Sequence, residues 1–205
     1  MTAEAVIEEM TPPSLPDWVF PPPQGFVAED LDHLPDLPAH TELIDGSLVF
    51  VSPQRRFHQQ VIHRLHMALE ELVPADHEVL SNMTVKLGPR QRPEPDLIVV
   101  GPHAPTGPDV TCFEAEDVVL AVEVVSRESE LRDRERKPVL YAQAGIPHFW
   151  RIEELSGGQA VIFVFELDPA TKAYASAGVH QDQMKLSVPF DIHLDLTTLY
   201  TTRRR

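Results

Sequence analysis

Apolar positions along the chain fall into two periods. In the first, branched aliphatic residues follow one another without a break, as in Leu97-Ile98-Val99-Val100 and Val118-Val119-Leu120-Ala121-Val122. Runs this short and this rich in valine predict buried strands. In the second, Phe57, Val61, Leu65, Ala68 or Leu69, and Leu72 recur at the spacing of one helical face. That spacing predicts a helix from Gln54 to Val73, stopped by Pro74. Asp45-Gly46 splits the run Glu42–Val51 and predicts a hairpin with a type I′ turn. A short helix is expected over Val27–Leu34, strands around 77–87 and 94–101, and a loop over Pro102–Pro108. A second main helix is expected within 131–144. It ends at Gly145, and Pro138 belongs in its first turn, since a proline further in would break the backbone ladder. Strands are expected at Ile146–Ile152, Ala160–Leu167 and Ala173–Ala175, with a turn at Gly157-Gly158. A short helix is expected over Leu194–Tyr200. This order predicts an α/β protein, with a mixed β-sheet core flanked by helices and an extra antiparallel hairpin region. The strand near 160–166 reads as a sheet edge, which would suit a homodimer.

Composition adds boundaries. The chain has 205 residues, 42% of them hydrophobic, enough for one domain with tails. Pro12, Pro13, Pro16, Pro21, Pro22 and Pro23 make residues 1–25 an extended or disordered acidic segment. A folded domain is expected over 26–200 and a basic tail, with Arg203-Arg204-Arg205, over 201–205. The single cysteine, Cys112, rules out an intramolecular disulfide and reads as a spectator thiol. No apolar stretch reaches membrane-spanning length, and the start lacks a basic region followed by an apolar one. The expectation is a cytoplasmic protein with no membrane partner.

Net charge is −15, and residues 1–40 hold eight acids with no lysine or arginine. Phosphate binding rests on lysine and arginine, so a DNA partner would need a local basic patch and would bind salt-sensitively. Arg55, Arg56, Arg90, Arg92, Arg127, Arg132 and Arg134 are the candidates for phosphate contact; otherwise they are ordinary surface charge.

Two acids interrupt the apolar runs, Asp96 before the first and Glu123 within the second. A carboxylate inside a core strand is costly unless it is paired or bound to a metal. On neighbouring strands the two would meet, and two hard oxygen ligands suit Mg²⁺ or Mn²⁺. The alternative is a pair of strand-end carboxylates at the water boundary. The run Ser126–Lys137 carries five bases and four acids and reads by itself as a solvated helix face with i,i+4 pairs. A helix crossing back over the second strand would instead bring one cation near the carboxylates. Lys137 and Tyr141, four apart, share a face. His63 and His66 are three apart without a third ligand at matching spacing, and His58 stands either at the cleft border or at a plain polar helix position.

Several segments together resemble one family. They are Thr41-Glu42-Leu43-Ile44-Asp45-Gly46, Pro95-Asp96-Leu97, Val122-Glu123-Val124-Val125-Ser126, Arg132-Asp133-Arg134-Glu135-Arg136-Lys137, and Tyr141-Ala142-Gln143-Ala144-Gly145-Ile146-Pro147-His148-Phe149-Trp150. Their order and spacing are similar to those of the Uma-type restriction endonucleases, a branch of the PD-(D/E)XK nuclease superfamily, over about residues 26–165. The resemblance implies a restriction-endonuclease-like core. It implies that Asp96 and Glu123 ligate a divalent metal, Mg²⁺ or Mn²⁺, with the main-chain carbonyl of Val124 as a further ligand. Glu42 would complete the site or orient its water. Lys137 would stand in for the lysine usually found two residues after the second acid, where this chain has Val125. The function implied is a metal-dependent DNA endonuclease. Two other readings stay open: a nuclease-fold protein with a binding or regulatory role, and a hydrolase of a smaller phosphoester.

Overall fold

The computed structural model describes residues 16–201. The regular strands are β1 (Thr41–Ile44), β2 (Ser47–Phe50), β3 (Glu78–Ser81), β4 (Thr84–Lys86), β5 (Leu97–Val100), β6 (Cys112–Glu114), β7 (Val118–Val124), β8 (His148–Glu154), β9 (Ala160–Asp168), β10 (Ala173–His180), β11 (Gln183–Leu186) and β12 (Ile192–Asp195). The helices are α1 (Arg56–Glu70), α2 (Lys137–Ala144) and α3 (Thr197–Tyr200). Six strands form the main sheet, in the order β10-β9-β8-β7-β5-β3. Only β7 and β8 run parallel, joined by the crossover through α2; the other neighbours are antiparallel. The architecture is the expected mixed sheet with helices and extra two-stranded pairs.

Strand periodicity explains the layers. Leu97, Val99, Leu120, Val122 and Val124 face α1 and pack with Val61, Leu65, Leu69 and Trp150. Ile98, Val100 and Ala121 face the other way and pack with Tyr141, Ile146 and Phe149. Asp96 and Glu123 share parity with this second set. Leu97 stands opposite Val122 in the β5–β7 register, so the next positions outward, Asp96 and Glu123, fall side by side on the α2 face. Their proximity follows from register.

Local signals held at three places. Asp45 and Gly46 have φ of 55° and 78°, the left-handed pair that a type I′ turn needs. A Cβ at Gly46 would also strike the Arg90 guanidinium. Gly145 ends α2 at φ 93°, and its N–H bonds to the carbonyls of Tyr141 and Ala142. Pro138 sits in the first turn of α2.

Departures have identifiable causes. The helix expected over Gln54–Val73 begins at Arg56 and ends at Glu70, where Leu72 and Val73 turn back onto the Leu69 carbonyl. The expected helix at Val27–Leu34 is a 3₁₀ turn over Ala28–Asp32. Asn82, with φ 54°, breaks the expected 77–87 strand into β3 and β4. β4 leaves the main sheet to pair with β6, which sequence reading omitted. β11 and β12 form a second unanticipated hairpin, so Leu194 is strand and the last helix starts at Thr197. The strand at 160–166 is not an edge, because β10 runs on to His180 and covers it. The sheet edges are β10 and β3.

Part of the expected loose segment, residues 16–25, is described, and one of its side chains docks on the domain. Trp18 packs against Phe50 at 5.4 Å between ring centroids and donates its indole N–H to the Pro35 carbonyl at 2.9 Å. The rest of that segment and Arg203–Arg205 lie outside the described residues. Among the described residues no helix is long and apolar enough to cross a membrane.

Candidate active site

Four separate elements deliver charge to one point. β1 is buried along its whole length and is tied through Leu43 to the backbone of Arg92, at 2.8 and 2.9 Å. That pairing lays Glu42 beside the Glu94-Pro95-Asp96 approach to β5. The Glu42 Oε1 accepts the Glu94 N–H at 2.9 Å. Asp96 precedes β5 and its Oδ2 accepts the Val124 N–H at 2.6 Å. Glu123 stands near the end of β7 and is only 2% exposed.

Lys137 closes the cluster. Its Nζ lies 2.8 Å from Glu42 Oε1, 3.0 Å from Glu123 Oε1 and 3.7 Å from Asp133 Oδ1. The chain reaches this arrangement through a π-helical turn, Arg132–Arg136, in which the Lys137 N–H bonds to the Arg132 carbonyl. Pro138 has no N–H, so the α-helical ladder is interrupted at the next residue. Single wide turns of this kind recur at functional sites. Tyr141, one turn further on, donates its hydroxyl to Glu123 Oε1 at 2.5 Å.

Sequence reading placed Asp133 on a solvated helix face. It is instead 2% exposed and accepts a hydrogen bond from the Ser129 hydroxyl. Its i,i+4 spacing to Lys137 was the available signal. His58 reaches the same centre from α1, with Nε2 3.2 Å from Asp96 Oδ2. The side chains open into a cleft of about 380 Å³, which Glu94, Gln54, Gln59, Asn82, Ser129 and Arg132 also line.

Electrostatics follow from burial and from the charge count. Glu42, Asp96, Glu123 and Asp133 face a single ammonium, that of Lys137. Burial pushes the Glu123 carboxyl well above its ordinary range; Lys137 opposes this, and Asp133, Asp96 and Glu42 add to it. Burial also raises Asp133, to about 6, against the pull of Lys137 and the Ser129 hydroxyl. For Lys137 burial works against the charge, but Glu123, Glu42, Asp133 and Asp96 outweigh it and keep the ammonium protonated. Tyr141 is raised by burial and by Glu123, so it is a donor throughout the physiological range.

The oxygens gathered here are hard donors, the class that small divalent cations prefer. Surplus negative charge is buried, and Asp96 and Glu123 each use one oxygen for the bonds described, Oδ2 and Oε1. Among the described residues, no group of three or more His, Cys, Asp or Glu side chains is placed to hold a metal ion. His66 is engaged elsewhere, with Nδ1 2.7 Å from the Ser81 hydroxyl.

The arginine candidates mostly find partners within the protein. Arg92 is 5% exposed and bonds to the Ala28 carbonyl at 3.0 Å and to Asp32 at 2.8 Å, so it is structural. Arg90 donates to the Asp45 carbonyl at 2.7 Å. Arg55 pairs with Glu154, Arg132 with Glu128, and Arg134 with Glu130 and Glu153. Among the described residues, only Arg56 and Arg127 of the seven form no ion pair or side-chain hydrogen bond. Cys112 is half-buried, and among the described residues its thiol bonds only to the adjacent Phe113 carbonyl.

A six-stranded mixed sheet with an acidic, lysine-closed pocket where β5 and β7 meet defines a restriction-endonuclease-like α/β protein. The chain belongs to the Uma2 family, described as "Putative restriction endonuclease", whose family model matches residues 28–199. In fold it is similar to a crystal structure from Anabaena variabilis, described as "a putative nuclease belonging to DUF820". The TM-score is 0.66 at 13% sequence identity, covering 85% of this chain and 97% of that one. No curated protein matches the chain.

Proposed function

We propose that this protein is a divalent-metal-dependent nuclease that hydrolyses phosphodiester bonds in DNA. The carrying observation is the convergence of Glu42, Asp96, Glu123 and Lys137 at one point beside an open cleft. Asp96, Glu123 and the Val124 carbonyl would hold Mg²⁺ or Mn²⁺, with Glu42 supporting. Such a cation lowers the pKa of water and polarises a phosphoryl oxygen. Lys137, kept protonated by its carboxylates, offers a fixed positive charge against negative charge developing on the phosphate. Glu42 and Tyr141 fix the ammonium and Glu123 so that neither has to reorganise during the reaction.

The test is cleavage of supercoiled plasmid at low salt with Mg²⁺ or Mn²⁺, comparing wild type with Asp96→Ala. Metal-dependent nicking that disappears in the variant is expected. Nicking retained in the variant, or absent from folded wild type, would overturn the proposal.

One observation favours a second reading. Five carboxylates line the cleft, those of Glu42, Glu94, Asp96, Glu123 and Asp133, against the cations of Arg132 and Lys137. That balance suits a phosphoester smaller than a polyanion. Metal-dependent turnover of a small phosphodiester, with no plasmid nicking and no DNA retention at low salt, would favour it.

A further inference from the structure

We infer that His58 is a positioning residue for Asp96, fixing the carboxylate so that its Oδ1 is left for a cation. The inference rests on the metal-site reading above.

The geometry isolates this role. The His58 Nε2 lies 3.2 Å from Asp96 Oδ2, at ion-pair distance. The Val124 N–H reaches the same oxygen at 2.6 Å. Two groups from different elements, the His58 imidazole on α1 and the Val124 N–H at the end of β7, therefore bear on Oδ2. Together they fix the Asp96 side-chain torsions, and neither occupies Oδ1. This is the logic of outer-shell groups around metal sites, where a partner orients a ligand without touching the metal.

Packing does not explain the residue. His58 is 6% exposed and lies on the inward stripe of α1 with Val61, Ile62, Leu65 and Leu69. Its other ring nitrogen, Nδ1, is buried with no hydrogen-bond partner among the described residues. An unsatisfied buried polar atom costs about 1–3 kcal/mol. On an aliphatic stripe a leucine would avoid that cost, and what the imidazole meets instead is Asp96, at the cleft that both line. Asp96 sits outside the regular span of β5, whose ladder begins at Leu97, so strand pairing alone does not hold its side chain.

The experiment measures Mn²⁺ binding to DNA-free protein by titration with electron paramagnetic resonance detection, together with thermal unfolding in EDTA. The proteins are wild type, His58→Leu, His58→Asn and His58→Gln. Glutamine can place an amide N–H near the Nε2 position, whereas asparagine is too short to reach. His58→Leu and His58→Asn are expected to weaken Mn²⁺ binding by about 10–100-fold. His58→Gln is expected to recover most of it. His58→Leu should melt at or above the wild-type temperature, and should it fail to fold, His58→Asn carries the comparison with His58→Gln. Wild-type affinity in the loss variants would overturn the inference, as would a loss in His58→Gln equal to theirs. Absence of Mn²⁺ binding by wild type would overturn the metal-site reading itself, a result distinguishable from either.

Discussion

The Lys137 ammonium stands 3.0 Å from Glu123 Oε1, although the two residues lie on different elements and are separated by a charged loop and a π-helical turn. The relationship sets a cation against Glu123, whose own strand has Val125 two residues further on. It also makes Lys137 the counter-ion that lets the carboxylates be buried at all.

Removing that counter-ion should be costly. Lys137→Met leaves Glu42, Glu123 and Asp133 facing one another without a cation. Breaking a buried pair from one side typically costs about 3–5 kcal/mol. Denaturant unfolding in EDTA should show a loss of this order at pH 8 and a smaller one at pH 5, where the carboxylates take up protons. Equal stability at pH 8 would mean the lysine is not balancing the cluster.

Asp133 gives a pH signature of its own. Burial raises its folded pKa from 3.8 to about 6, so the folded protein binds the proton more tightly than the unfolded chain. The stability that this proton uptake contributes is fully present below pH 3.8 and is lost as pH rises through about 6. Asp133→Asn cannot lose that proton. In EDTA it should gain about 1–3 kcal/mol over wild type at pH 8, and the gain should vanish near pH 4. A pH-independent difference would show that ionised Asp133 is fully compensated by Lys137.

Tyr141→Phe deletes the hydroxyl that bonds to Glu123 Oε1 and keeps the ring that packs on Phe149 at 5.8 Å. Leaving a buried carboxylate oxygen short of a donor should destabilise the metal-free protein by about 1–3 kcal/mol. Thermal unfolding measures it, and an unchanged melting temperature would mean Lys137 alone satisfies that oxygen.

Salt-sensitive DNA binding has few free arginines to draw on, because most of the phosphate candidates are paired within the protein. Arg127, in the loop after β7, is exposed and forms no ion pair among the described residues. In the background of Asp96→Ala, Arg127→Gln should weaken DNA binding across all sequences and reduce the slope of log affinity against log salt by about 1. An unchanged slope would exclude Arg127 from phosphate contact.

Some of the site was legible in the chain and some was not. Asp96 and Glu123 stood out because carboxylates are rare inside runs of valine and isoleucine. Glu42 was reached only through the resemblance, which also picked Lys137 out of the five bases that a helix crossing back over β7 could bring near the carboxylates. Asp133 was misassigned to a solvated face, because its run alternates acids and bases as exposed helices do. Arg92 was a phosphate candidate by charge alone, whereas its guanidinium is buried against Asp32 and the Ala28 carbonyl.

By itself the sequence determined the elements whose signals are short-range. These are the β5 and β7 cores, the Asp45-Gly46 turn, the inward stripe of α1 and the end of α2 at Gly145. Each depends on side-chain periodicity or on backbone angles that one or two residues set. Tertiary structure alone decided which charges meet. The β5–β7 register set Asp96 beside Glu123, the β1–Arg92 pairing brought in Glu42, and the wide turn before Pro138 rotated Asp133 and Lys137 inward. Strand register and element docking minimise the energy of the whole core, so the partner of a buried charge is chosen by contacts that can lie as many as 95 positions away, the Glu42–Lys137 span. No local run of residues records that choice.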